Sequence, residues 1–234
     1  MEIKKLTFFF VNAYVIKSEN KTVLFDTGAV IDPAELPAYL EQNGVDPKEI
    51  DLIIVSHAHW DHFQLVKAWK DLTGAPVLCH KNAVDFLSTG NKDNPFDFGP
   101  KAQAYPPFIE FMMTTRAVDI PPVQPDIVIG DEGYDLHDFG FPGKVIYTPG
   151  HSDAAISLVL DDGTAFTGDT VVDLHTIACL EDVYPEGTYS LNWICGDEDA
   201  IKASVKKLLA SATKFLGGHG VEIPREVLES LVAE

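Results

Sequence analysis

Between Val55 and His62 the chain reads Val-Ser-His-Ala-His-Trp-Asp-His. Three imidazoles and a carboxylate, at His57, His59, His62 and Asp61, stand within a few residues of one another. A single histidine in such a place is ordinarily a polar turn residue. Four donor groups at this spacing form a metal-ligand pattern. Imidazole nitrogen combined with carboxylate oxygen suits zinc, iron or manganese. Asp61 has a second option, orienting a metal-activated water or accepting its proton.

Three other points along the chain add donors. They are Thr148-Pro149-Gly150-His151-Ser152, Phe166-Thr167-Gly168-Asp169-Thr170 and Gly217-Gly218-His219-Gly220. Each sets one His or Asp in a glycine-containing turn just past an apolar stretch, where glycine allows tight turns and close approach to a ligand. Any one of these motifs is weak. Together, His57, His59, Asp61, His62, His151, Asp169 and His219 supply enough ligands for two metal ions with positions left for water. Such ions lower the pKa of bound water from about 15.7 to around 7, so hydroxide is available at neutral pH. Asp26 fits two readings equally, a carboxylate that accepts the second N–H of a metal-bound imidazole, or a turn residue before Gly28.

The elements that position these residues are legible in the patterning. Leu52-Ile53-Ile54-Val55 is short, continuous and β-branched, and predicts a buried strand ending at the histidine cluster. The alternation in 12–16 predicts a first strand, with Thr22-Val23-Leu24-Phe25 as its hairpin partner. Helices are predicted over 33–43, capped by Asp32 and ended by Gly44, and over 61–72, 82–87, 200–209 and 224–232. Short strands are predicted over 76–79, 154–160 and 163–167. Strands followed by helices in each half predict an α/β fold, a four-layer αββα sandwich, as one domain over residues 1–234.

Residues 88–125 break the rhythm with Gly, Pro and aromatics, as in Asn94-Pro95-Phe96-Asp97-Phe98-Gly99-Pro100. They are read as a lid-like insertion. Its Phe108, Phe111, Met112 and Met113 would wall an apolar substrate pocket, meet a partner subunit, or simply fix the insertion to the domain. Replacing Phe108 and Met112 with Ala would alter acyl preference if they form the pocket. A second loop, 171–192, carries His175, Tyr184 and Tyr189. Its imidazole or a tyrosine hydroxyl would polarise a substrate carbonyl or stabilise an oxyanion, and His175 is the better candidate.

In the order and type of its motifs, from Asn12-Ala13-Tyr14-Val15 and Leu24-Phe25-Asp26-Thr27-Gly28 to His219, the chain resembles the metallo-β-lactamase superfamily, in particular its glyoxalase II-like branch. That group of hydrolases also includes lactonases and tRNA-processing nucleases. The resemblance implies the αββα sandwich and a dinuclear centre. It puts His57, His59 and His151 on one ion and Asp61, His62 and His219 on the other, with Asp169 bridging. Ser56 stands where the family usually has Thr, which keeps a hydroxyl. Lactonases of the superfamily carry Tyr three residues after the bridging Asp; here that residue is Val172. The stretch after His219 is shorter than the helical region with which glyoxalase II holds glutathione.

Composition narrows the function classes. The formal net charge of −19 over 234 residues repels nucleic acid and anionic membrane. Cys79, Cys179 and Cys195 form no CxxC pair and read as free thiols in a reducing compartment. Lys4-Lys5 and the following phenylalanines fall short of a secretion signal, and no apolar stretch is long enough to span a bilayer. The expectation is therefore a cytoplasmic hydrolase of a small ester, thioester or lactone, using hydroxide supplied by two divalent ions. Zinc comes first, with iron or manganese as alternatives. The partner is a small-molecule substrate, with no nucleic acid and no membrane, and a homodimer is left open. The alternatives are a non-haem iron persulfide dioxygenase of the same superfamily and a phosphodiesterase.

Overall fold

The computed structural model describes residues 1–90, 103–115, 120–177, 179–191 and 197–233. The Asn94–Pro100 stretch of the insertion and Cys195 lie outside these residues.

Two sheets carry the molecule. The first runs in the order β1 (Glu2–Phe8), β2 (Val11–Lys17), β3 (Thr22–Phe25), β4 (Leu52–Ile54), β5 (Val77–His80) and β6 (Ile127–Ile129). The β1–β2–β3 pairs are antiparallel, and β3 to β6 pair in parallel. The second sheet collects β7 (Tyr134–Asp135), β8 (Gly143–Tyr147), β9 (Ile156–Leu160), β10 (Thr164–Phe166), β13 (Lys214–Leu216) and β14 (Glu222–Ile223), in the order β14-β13-β10-β9-β8-β7. A small ribbon pairs β11 (Val172–Asp173) with β12 (Tyr189–Ser190).

Strand alternation sorts the apolar side chains into layers. Tyr14, Ile16, Val23, Phe25, Leu52, Ile54 and Leu78 meet Val145, Ile156, Leu158, Leu160 and Phe166 between the sheets. Their neighbours Ala13, Leu24, Ile53, Val55, Val77 and Cys79 point the other way, toward α1 (Leu36–Gln42), α3 (Val66–Thr73) and α4 (Val84–Thr89). On the far face, Val159, Ala165 and Phe215 pack under α6 (Glu198–Ser211) and α7 (Arg225–Leu231). Helix, sheet, sheet, helix is the four-layer sandwich expected from the patterning.

Several local expectations need correcting. The strand predicted near 12–16 is β2; a preceding strand, β1, pairs with it in register from Glu2↔Lys17 to Phe8↔Val11. The helix predicted over 61–72 is broken into α2 (Trp60–Phe63) and α3, with Leu65 at the N-cap of the second. The insertion is not all loop, because Pro106–Thr115 forms helix α5. Phe108 and Met112 of that helix are buried in the sheet–helix core, so the glue reading holds for these two. Among the described residues, no helix is long and apolar enough to cross a membrane.

Candidate metal centre

All the candidate ligands follow strand ends at one edge of the sandwich. In the first sheet β3 and β4 run parallel, so Asp26 and the 56–62 segment emerge side by side. In the second, β10 and β13 are parallel, so the turns holding Asp169 and His219 also lie together. Main-chain bonds lock the pieces across the sheets. Ile156 N donates to Ser56 O at 2.9 Å, Gly218 N to Gly168 O at 2.8 Å, and Asn12 N to Gly218 O at 2.7 Å. The Tyr14 hydroxyl donates to Gly217 O at 2.7 Å. The hairpin strand β2 thereby holds the His219 loop.

The seven expected ligands are all buried and fall into two groups. His57 Nε2 and His151 Nε2 lie 3.1 and 2.8 Å from His59 Nδ1. Asp61, His62, Asp169 and His219 form the other group, their ligating atoms all within 4.8 Å of one another. The Asp169 carboxylate stands between the groups. Its Oδ2 is 3.1 Å from His219 Nε2, 3.6 Å from His151 Nε2 and 3.9 Å from His57 Nε2, while Oδ1 is 3.3 Å from His62 Nε2.

A hydrogen-bond network centred on Asp26 sets the tautomers. Asp26 Oδ2 accepts from His62 Nδ1 at 2.8 Å and from Ser56 Oγ at 2.9 Å, and Oδ1 accepts from Ser56 N at 2.7 Å. The serine's one proton is committed to the carboxylate, so at Oγ it accepts from His57 Nδ1 at 2.9 Å. Both His57 and His62 therefore carry a proton on Nδ1 and turn Nε2 to the centre. His219 does the same by another route, since its Nδ1 donates to the carbonyl of Phe10 at 2.8 Å. Asp26 sits in the left-handed region, φ 60°, a conformation Asp tolerates better than most residues. Of its two sequence readings, the carboxylate that supports an imidazole is the one the geometry shows.

The donors fit a metal pair. Among the described residues, His62 Nε2 and Asp169 Oδ1 are buried without any hydrogen bond, even though they approach to 3.3 Å. Unpaired buried polar atoms are costly unless something else satisfies them, and a cation between them would. Trp60 Nε1 shares that condition. Burial pushes His57 and His59 well below the usual imidazole range, and neighbouring imidazoles add to it, which keeps their lone pairs available. Burial also disfavours charge on His62 and His219, but there the carboxylates outweigh it, Asp169 foremost, and both are held high. Asp169 is likewise pushed up by burial, but His219 and His62 outweigh this and hold it well below the carboxylate range. Desolvation raises Asp61. The second group thus calls for positive charge at its centre. Close packing leaves no slack, because a Cβ on Gly218 would stand 2.3 Å from Asp169 Oδ1 and 2.7 Å from His62 Cε1.

His175 lies on the 3-10 turn Leu174–Thr176 and is partly buried. Its Nδ1 donates to Tyr184 O at 2.9 Å. It does not join either group of ligating atoms. Sequence reasoning missed Ser56 as a relay and Phe10 as a support for His219. Their positions beside His57 and near Asn12 carry no motif that would have marked them.

A family model described as "Metallo-beta-lactamase superfamily" matches residues 6–212. Among curated proteins, the probable metallo-hydrolase YqgX of Bacillus subtilis (strain 168) is 22% identical over 215 residues, 90% of this chain and 85% of that protein. The hydroxyacylglutathione hydrolase of Pelagibacter ubique (strain HTCC1062) is 26% identical over 211 residues, 88% of this chain and 65% of that protein. Among solved structures, TTHA1623 in a di-iron-bound form superposes with a TM-score of 0.64 at 23% identity, covering 98% of this chain and 97% of that one. With the family match running from β1 to beyond α6, the chain belongs to the metallo-beta-lactamase superfamily.

Proposed function

We propose that the protein is a dinuclear metallohydrolase that cleaves a small ester, thioester or lactone. The observation that carries this reading is the pair of facing donor groups, with buried atoms His62 Nε2 and Asp169 Oδ1 left unsatisfied between protein groups. His57 Nε2, His59 Nδ1 and His151 Nε2 would hold one divalent ion. Asp61, His62 Nε2 and His219 Nε2 would hold the other, with Asp169 shared. When bound, the ions supply Lewis acidity toward a carbonyl and a water of lowered pKa.

The chain's own groups do the rest. Asp26 and Ser56 keep the imidazoles in the tautomer that offers a lone pair. Asp61, raised by burial, is suited to take and return a proton at its carboxylate as well as to ligate. His175 has Nδ1 committed to Tyr184 O, which leaves Nε2 of the neutral ring an acceptor, so in place of polarising a substrate carbonyl we assign it to receiving a hydrogen bond from the substrate. Zinc is the first choice of metal, and the iron pair of the structural neighbour TTHA1623 keeps iron in the comparison. The likeness to a hydroxyacylglutathione hydrolase supports a thioester among the three ester types and a place near the glyoxalase II-like branch. The net charge of −19 supports a small-molecule substrate over a nucleic acid.

The test is a panel of esters, thioesters, lactones, phosphodiesters and persulfides, assayed on protein of known metal content. Hydrolysis of a carboxylic ester or thioester that disappears with the metal is expected. Turnover confined to phosphodiesters, or oxygen uptake with persulfide, would overturn the reading.

A further inference from the structure

We infer that Tyr147 and Asn82 are positioning residues for His151: together they grip the Asp153 carbonyl, and through it they set the affinity for the ion assigned to His57, His59 and His151. This rests on the dinuclear reading above and adds to it the device that places one of the ligands.

The turn that carries His151 leaves β8 at Tyr147 and enters β9 at Ile156. Ahead of His151 it is fastened to α6 and the residue that caps it. Asp197 N donates to Gly150 O at 3.0 Å, and Ser204 Oγ donates to Pro149 O at 2.7 Å. A Cβ on Gly150 would stand 2.2 Å from Ile201 Cγ1, so helix and turn are in direct contact. Beyond His151 the fastening is of another kind. The Tyr147 hydroxyl and Asn82 Nδ2 both donate to the carbonyl of Asp153, each at 2.9 Å. Asn82 Nδ2 also reaches Asp153 Oδ2, at 3.2 Å. Asp153 is exposed, so water could serve its carbonyl equally well. Two side chains on an acceptor that burial does not oblige them to satisfy serve chiefly to hold the turn.

Both donors are aimed by one buried histidine. His80 ends β5 in the first sheet, and Tyr147 ends β8 in the second. Their rings stack at 4.5 Å and 8°. The His80 ring is fully buried and engaged at both nitrogens. Its Nδ1 accepts from Asn82 N at 3.4 Å, so Nε2 carries the proton and donates to Asp131 Oδ1 at 3.3 Å. Lys81 Nζ stands 2.6 Å from the same carboxylate oxygen. One imidazole thus fixes the plane of the Tyr147 ring by stacking, and caps the 3-10 turn Lys81–Ala83 that carries Asn82. This tie between the two sheets ends at Asp153, two residues past His151. His151 Nε2 lies 2.8 Å from His59 Nδ1 and 3.6 Å from Asp169 Oδ2, and a turn released at Asp153 would widen those spacings. Asp61, His62 and His219 come from other segments, so the loss should fall on one donor group.

The experiment titrates the metal-free full chain with zinc against a chromophoric chelator. Each binding step is assigned by its absence from His57→Ala or from His62→Ala. Tyr147→Phe keeps the stacked ring and removes only the hydroxyl, and Asn82→Ala removes the amide. Each single variant leaves one donor on Asp153 O. Each should weaken the step of the His57 group by about twofold to threefold, and the double variant by about tenfold, the lower end for outer partners of metal ligands, with the other step unchanged. A second readout needs no metal. The Gly150 and Ala155 amides both donate to Ser152 O at 3.2 Å, and their hydrogen exchange should quicken in the double variant. Thermal melting verifies that each variant is folded.

An unchanged step for the His57 group in the folded double variant overturns the proposal while the dinuclear reading stands. Equal weakening of both steps also overturns it, because that is a general loosening of the centre. If wild type takes up fewer than two ions, the dinuclear reading falls by itself. The exchange comparison then decides the grip on the turn: faster exchange at Gly150 and Ala155 in the double variant supports it, and rates equal to wild type remove it.

Discussion

Asp26→Asn is the substitution that most sharply separates the role of the Asp26 network from simple packing. Asparagine is nearly isosteric with aspartate and tolerates the left-handed φ of 60° at this position, so the backbone is not the variable. If the amide oxygen keeps the 2.7 Å bond from Ser56 N, the amide NH2 must face His62 Nδ1 and Ser56 Oγ. Both of those groups donate to the native carboxylate. To meet a donor they must become acceptors. His62 would shed its Nδ1 proton and carry it on Nε2, toward the centre. Ser56 would turn its proton to His57 Nδ1, forcing His57 into the same tautomer.

One substitution therefore turns two candidate ligands the wrong way, one in each group. Metal binding has to restore both at the expense of one or two hydrogen bonds. Outer partners of metal ligands typically contribute about 10–100-fold in affinity, roughly 1.4–2.8 kcal/mol. Titration of metal-free protein with zinc against a chromophoric chelator measures this directly. Both binding steps should weaken in Asp26→Asn. Ser56→Ala should weaken chiefly the step assigned to the His57 group, and Ser56→Thr should bind like wild type because the hydroxyl is kept. Affinities in folded Asp26→Asn within twofold of wild type at both steps would refute the tautomer reasoning.

Other expectations follow from single contacts. Gly218→Ala would drive a methyl group into Asp169 Oδ1 and His62, so metal content should fall and the fold should lose about 1–3 kcal/mol, read by denaturant unfolding and elemental analysis. Asp169→Ala should lose one or both ions and nearly all hydrolysis; normal turnover with full metal would contradict its shared position. Exposed His137 is held above the ordinary imidazole pKa by Asp161 first and Asp135 next. A raised folded pKa means its contribution is fully present below the unfolded value of about 6.5 and fades as pH rises through the folded value. The Tm difference between metal-free wild type and His137→Gln should therefore be largest in acid and shrink toward alkaline pH; a difference that grows with pH would invert the sign.

What the sequence could and could not show divides along physical lines. The histidine cluster, the Gly-His and Gly-Asp turns and the strands before them were readable because strong apolar runs end abruptly at polar donors. Residues from His57 to His219 that are remote in the chain do meet at one sheet edge. The β1 strand was obscured by Lys4 and Lys5, although Leu6 and Phe8 turn toward the core in alternation with Lys5 and Thr7. Strands of two residues, such as β7 and β14, are too short for any periodicity to reveal. Helix α5 was masked by Pro106-Pro107, which read as loop but open the helix, where a missing N–H costs nothing. The Ser56 relay and the support of His219 by Phe10 are tertiary facts with no local signature. Phe9 is a further case, since its left-handed φ of 59° in the two-residue turn between β1 and β2 falls where glycine is usual and no sequence pattern announces it.

The metal stoichiometry of wild type and His62→Ala, measured by elemental analysis after reconstitution with zinc, bears most directly on the central claim. Two ions per chain are expected in wild type, held by the two donor groups, and chiefly the ion assigned to the Asp61–His62–His219 group should be missing from the variant. Two ions retained in folded His62→Ala, or a wild-type protein that never binds more than one, would contradict the account.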